Sequence, residues 1–199
     1  MASIVAAEAP AAVPTGGAVV NSQTSGDQIN PRAFVDGDGR IYVVWEEVAS
    51  GVSRIFFSMS EDGGATFHTR TRVDDIAQGT KCLAKTPVVV VNSTGNIFVA
   101  WSDNRTGTYQ IYFSSSNDGD HFSSNAVVAS TSTWVNQTLP DMDIENDNLF
   151  LTWSEQQLTA NNNTYIRFTY STNSGSSFRS PIRMDTVVDV IQLYPSLSV

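Results

Sequence analysis

Three copies of one short pattern constrain this chain more than any other feature of it. Ser60-Glu61-Asp62-Gly63-Gly64-Ala65-Thr66-Phe67 follows a short apolar run. Ser116-Asn117-Asp118-Gly119-Asp120-His121-Phe122 and Ser171-Thr172-Asn173-Ser174-Gly175-Ser176-Ser177-Phe178 come after it at steps of 56 and 55 residues. In each, Asp62, Asp118 or Asn173 can accept backbone N–H bonds. Gly64, Gly119 and Gly175 tolerate positive φ, and Phe67, Phe122 and Phe178 can pack beneath the turn. One such turn closes a hairpin. Three at near-constant spacing define a structural repeat.

Laying the copies over one another exposes a longer unit. Each opens at a proline (Pro31, Pro87, Pro140, Pro195) and runs through a short strand into an Asp/Asn/Gly turn. A second strand ends in Trp45, Trp101 or Trp153, a third leads into the Ser-x-Asp turn and a fourth follows it. No segment holds a helical period, so the chain is read as all-β. Four antiparallel strands in a unit of about fifty residues is the sequence picture of a propeller blade. Blades are expected at 31–74, 87–129 and 140–185, within a propeller segment at 17–199 that follows an Ala/Pro-rich linker at 1–16. The repeat also places a lone fourth strand near 17–21 and a lone first strand at 195–199.

The Ser-x-Asp-x-Gly-x-Thr-Phe pattern resembles the Asp-box, or bacterial neuraminidase repeat, of the sialidase-like β-propellers. The resemblance spans Gly17 to Val199. It implies that ligands meet the face built from the loops after each Trp (46–54, 102–110, 154–165) and the crossings between blades (75–86, 130–139, 186–194). A sialidase of this family is further implied to carry an arginine triad, a Tyr–Glu pair, an acid/base Asp and a Phe/Tyr-Arg-Ile-Pro motif. This chain has Asn30-Pro31-Arg32-Ala33, with Arg and Pro in the opposite order. The resemblance thus carries the fold rather than the activity.

Composition narrows the partners. Of 199 residues 41% are hydrophobic, enough for a real core, and the net charge is −9 with no basic cluster. That argues against nucleic acid or an anionic membrane surface as partner. Cys82 is the only cysteine, which leaves neither a disulfide framework nor a thiolate metal site. No cofactor motif stands out. Sequons at Asn92, Asn104, Asn136 and Asn162 favour a secreted or cell-surface setting.

A residue that recurs at one step of every blade solves a packing problem common to all of them. On that basis the Ser-x-Asp turns, the three Trp, the acids two beyond them (Glu47, Asp103, Glu155) and the series Gln28, Gln137, Gln192 are scaffold, Ala84 interrupting the last. Residues that break the repeat are better ligand candidates. Arg32 takes a step that other units give to Val88, Asp141 and Ser196. There it either clamps a ligand carboxylate or pairs with Asp141. Asp103 and Arg105 either bind a polar ligand or fix their own loop. Trp134 either stacks on a sugar or fills a seam between blades. Asp36-Gly37-Asp38-Gly39 has oxygen ligands for Ca²⁺ but reads better as a hairpin turn. His68 and His121 lie on the opposite face and take no catalytic role. The expected function is a non-catalytic module binding glycan or protein. The alternatives are part of an exo-sialidase-type hydrolase or a structural unit of an extracellular assembly. Three blades leave apolar faces uncovered, so further blades, from a longer chain or other subunits, are expected as partners.

Overall fold

The computed structural model describes residues 18–23, 25–129, 134–159, 162–186 and 191–199. Every regular element among them is a strand. β1 (Asp27–Val35), β2 (Ile41–Ala49), β3 (Val52–Ser60) and β4 (Thr71–Arg72) form one antiparallel sheet in sequence order. β5 (Ala84–Val91), β6 (Ile97–Asp103), β7 (Gln110–Ser116) and β8 (Ala126–Val127) form the second. The third is β9 (Val135–Glu145), β10 (Asn148–Gln157), β11 (Thr164–Ser171) and β12 (Ile182–Arg183). The three sheets do not close on one another.

Strand alternation decides the stacking, because successive side chains leave a strand on opposite faces. Tyr42, Val44, Ile55 and Phe57 pack from the first sheet onto Val89, Val91, Ile97, Val99 and Trp101 of the second. The other face of that second sheet sends Val90, Phe98, Ile111 and Phe113 against Met142, Leu149, Leu151 and Trp153 of the third. Each large apolar side chain so buried contributes about 1.5–3 kcal/mol. On the outer face of the third sheet, Phe150, Phe168 and Tyr170 stack on one another while Ile182 and Met184 stay more than half exposed.

The inner strands differ from expectation. Their prolines lie inside the strands rather than ahead of them, since β1, β5 and β9 begin before Pro31, Pro87 and Pro140. At each proline the ladder slips. Residues 30–31 face Trp45 alone, 86–87 face Trp101, and 139–140 face Trp153. Two residues against one is a β-bulge, and the bulged residue is left without a ladder partner. Proline suits that place because it has no N–H to orphan, and these are edge strands. The residue before it turns left-handed each time: Asn30 (φ 52°), Thr86 (φ 50°) and Leu139 (φ 57°), with Tyr194 (φ 59°) before Pro195. That conformation is uncommon outside glycine and rarer still for a β-branched residue such as Thr86.

Among the described residues, the two lone strands expected at the ends do not form. Residues 18–23 carry no ladder and lie beside Val43 and Trp45 on the outer face of the first sheet. Residues 191–199 also carry none. Instead the backbone N–H groups of Leu197 and Val199 donate to the carboxylates of Asp141 (2.7 Å) and Asp143 (2.8 Å). Both stretches lie against described strands, β2 and β9, but neither joins a sheet by backbone pairing.

Candidate functional site

The three bulges and the Tyr194-Pro195 step meet at one place. Asn30-Pro31-Arg32, Thr86-Pro87-Val88, Leu139-Pro140-Asp141 and Tyr194-Pro195-Ser196 line a single cavity of about 550 Å³ between the inner edges of the sheets. Equivalent steps of the repeat therefore converge on an axis, and their departures from the repeat give the cavity its chemistry. Arg32 supplies a cation and is exposed. Asp141 supplies an anion and is half-buried. They share the cavity without the salt bridge that the sequence offered as an alternative: Arg32 has no ion-pair partner among the described residues, and Asp141 is engaged by Leu197.

Behind the cavity lies a residue that the sequence reading passed over. Glu46 is 1% exposed, and its Oε2 accepts a hydrogen bond from Asn30 Nδ2 at 2.9 Å. The same step after Trp holds Ser102 and Ser154 in the other sheets. The signal was present in the repeat, which favours residues that break it. The acids that recur one step further on mask it.

Those recurring acids are bound into the scaffold. Glu47 pairs with Arg70, which stacks over Phe56 at 4.0 Å. Glu155 pairs with Arg167 at 2.6 Å. Asp103 is fully buried and accepts from Trp101 Nε1 (3.3 Å) and from Arg105 (2.7 Å). Arg105 also reaches Asp75, in the crossing that leaves the preceding sheet, and stacks over Tyr112 at 4.3 Å. Burial alone would lower the Arg105 pKa, but its bonds to Asp103 and Asp75 outweigh that and raise it. Asp103 and Arg105 thus form a clasp between sheets, away from the axial cavity. Trp134 is 66% exposed, its carbonyl accepts the Leu158 N–H (2.7 Å), and it does not line the cavity. Asp36 spends its Oδ1 on the N–H groups of Asp38 and Arg40, closing a hairpin. Among the described residues no group of three His, Cys, Asp or Glu could hold a metal ion.

The three Ser-x-Asp/Asn turns share one bonding scheme. Ser60, Ser116 and Ser171 each donate Oγ–H to Asp62, Asp118 or Asn173 (2.8–3.0 Å). They accept in return from the N–H of Gly64, Gly119 or Gly175 (2.8–3.0 Å). Asp62 then takes the N–H and hydroxyl of Thr66, Asn173 takes the N–H of Ser177, and Asp118 takes the N–H and ring of His121. Their aromatics tie sheet to sheet. Phe122 packs edge-on against Phe57 of the preceding sheet (5.4 Å between centroids), and Phe178 does the same to Phe113 (5.2 Å).

Comparison of the sequence with protein-family models and with curated proteins finds no match. Solved structures do match. The chain resembles the Hadza microbial sialidase Hz136 (15% identity, TM-score 0.60, 76% of this chain and 36% of that one). It resembles the α-L-arabinofuranosidase Arb93A of Fusarium graminearum (13%, 0.63, 83% and 52%) and the α-L-arabinanase of Penicillium chrysogenum (14%, 0.61, 77% and 49%). The chain spans between about a third and a half of these proteins. At such identities the likeness carries the fold alone, and that fold is a sialidase-like propeller arrangement.

Proposed function

We propose that this chain is part of a carbohydrate-active β-propeller, of the glycoside hydrolase kind, whose axial cavity receives saccharide. The observation that carries the reading is the meeting of Arg32 and Asp141 in one cavity with no ion pair between them. Both sit at the step after the proline, where a common packing problem would ask for a common residue. A donor and an acceptor held apart on a cavity wall suit a ligand rich in hydroxyls.

The hydrolase reading outranks the non-catalytic module. The module rested on missing sialidase motifs, yet an arabinose unit has no carboxylate for an arginine triad to clamp. Neighbours named as arabinan-acting enzymes therefore weaken that argument. The two-carboxylate route needs acids roughly 5–10 Å apart. Asp141 is the one carboxylate lining the described cavity, so its counterpart would come from further blades. The open aromatic face of the third sheet supports such blades, since the matching Phe98–Phe113 face is covered by a neighbour. The shared turn scheme supports the Asp-box assignment, and the sequons support a secreted or surface setting.

The test is binding and turnover on a panel of arabinosides, sialosides and arrayed glycans. Wild-type chain should engage at least one glycan, and Arg32→Ala and Asp141→Asn should weaken that binding without shifting thermal unfolding. Asparagine keeps an acceptor for Leu197. No saccharide bound, or binding untouched by both substitutions, would refute the reading.

A further inference from the structure

Each inner strand has a left-handed residue before its proline, and the residue after each Trp stands next to it. In the second sheet these are Thr86 and Ser102, whose hydroxyls lie 3.3 Å apart. In the third they are Leu139 and Ser154, and the Ser154 hydroxyl is buried without a partner. In the first they are Asn30 and Glu46, joined at 2.9 Å. The scaffold therefore folds with a neutral hydroxyl pair at this step, or with no bond at all. A carboxylate exceeds what the fold requires.

It is also a costly choice. Glu46 is 1% exposed, has no ion pair among the described residues and accepts from a neutral amide. A buried carboxyl group ordinarily has more partners than this, since one neutral donor compensates little of the lost hydration.

We infer that Glu46 is a positioning residue: it fixes the Asn30 amide so that Asn30 offers a matched acceptor and donor to a saccharide hydroxyl pair in the axial cavity. The inference rests on the saccharide reading of that cavity. The Glu46 Oε2 accepts from Nδ2 of Asn30 at 2.9 Å, and that bond fixes which way round the amide stands. Asn30 is exposed, lines the cavity beside Arg32, and makes no other side-chain hydrogen bond among the described residues. Its Oδ1 and second N–H remain available. Adjacent sugar hydroxyls, each able to donate and accept, fit that pair, and Arg32 and Asp141 extend it on the same wall. Asparagine tolerates φ 52° through its short polar side chain, so the backbone and the presentation agree.

The experiment compares wild type, Glu46→Ser and Glu46→Gln by denaturant midpoint and by calorimetric titration with arabinobiose and 3′-sialyllactose. Glu46→Ser copies the sister sheets, so its midpoint should equal or exceed that of wild type. Its saccharide binding should fall by about tenfold, one well-made polar contact. Glu46→Gln can still accept the Asn30 amide and should recover part of the loss. Unchanged binding in Glu46→Ser, or a clearly lowered midpoint, would overturn the inference. If wild type binds neither of these sugars nor any arrayed glycan, the saccharide reading falls. The midpoints then decide Glu46 alone: a fall marks a structural residue, and no fall marks a carboxylate kept for something other than stability.

Discussion

Gly175 should be the least replaceable glycine in the repeat. Its φ is 77°, and a Cβ built on it would lie 2.3 Å from Cζ and 2.5 Å from Cε1 of Phe113 in the neighbouring sheet. Ordinary carbon contacts sit at about 3.5–4.0 Å, so the ring or the sheet must give way by more than an ångström. The ring cannot easily swing aside, because Phe98 stacks on it (6.1 Å) and Phe178 meets it edge-on (5.2 Å). Two terms add. Placing alanine in the left-handed region costs about 1–2 kcal/mol, and overpacking a filled core about 1–3 kcal/mol. Gly175→Ala should therefore lose about 2–5 kcal/mol. Gly63, at φ 68° with nothing within 4 Å of its virtual Cβ, isolates the backbone term. Gly63→Ala should lose only about 1–2 kcal/mol. Gly119, 3.1 Å from Met59 Sδ, should fall between them. Equilibrium urea unfolding of all three, with Phe113→Leu as the second arm of a double-mutant cycle, reads each term directly. A coupling of about 1–3 kcal/mol between Gly175→Ala and Phe113→Leu is expected. Equal losses at Gly175 and Gly63, with no coupling, would refute the claim that this turn is wedged against its neighbour.

Three further outcomes are expected. The Thr66 hydroxyl and N–H and the Ser60 hydroxyl hold the Asp62 carboxyl down to about 2, against an ordinary 3.8. A depressed acid stabilises the fold above its unfolded value, and that stabilisation is lost as pH falls through about 2. Wild type and Asp62→Asn should thus converge in acid unfolding, and parallel curves from neutral pH down to pH 1 would contradict the bonding scheme. Gln137→Ala should cost about 1–3 kcal/mol by leaving the buried Ile111 N–H without its Oε1 acceptor. Ala129→Asp should recover part of it, and denaturant midpoints that show no recovery would count against the equivalence of the two caps. Finally, this chain alone should hydrolyse no fluorogenic sialoside. Turnover above background that disappears in Arg32→Ala would restore the sialidase reading.

Much of the fold was legible because each sheet solves the same problem with the same residues. Trp45, Trp101 and Trp153 marked the second strands, and the Ser-x-Asp turns marked the ends of the third. The second turn uses Ser116 and Asp118, the register that matches the first unit without a gap. What stayed hidden depends on contacts between units. Where Ala84 breaks the glutamine series, Asp74 accepts the Ile55 N–H (2.9 Å). Ala129 stands where the other sheets have Asp74 and Asp185, and there Gln137 reaches back to Ile111 (3.1 Å). Each gap is covered by the other residue, a trade that only the stacked sheets reveal. The bulges were hidden for a different reason. A proline ahead of a β-branched run reads as a strand start, and nothing local announces the left-handed Thr86 or Leu139. Glu46 is masked by Glu47 beside it, one of the acids that recur in every sheet.

The proline bulges also bear on what these sheets avoid. An inner strand is a sheet edge, with a row of N–H and C=O groups that any passing strand could pair with. Here several such edges point at one another across a narrow gap. Regular strands in that position would risk zipping together, edge to edge, or recruiting a strand from another molecule. A proline near the middle of β1, β5 and β9 deletes a donor, and the left-handed residue before it bends the edge out of register. The kink that gives the cavity its walls is thus also a guard against misassembly. Straightening it, by replacing the residue pair with two ordinary strand formers, would expose an adhesive edge where the protein now keeps open space.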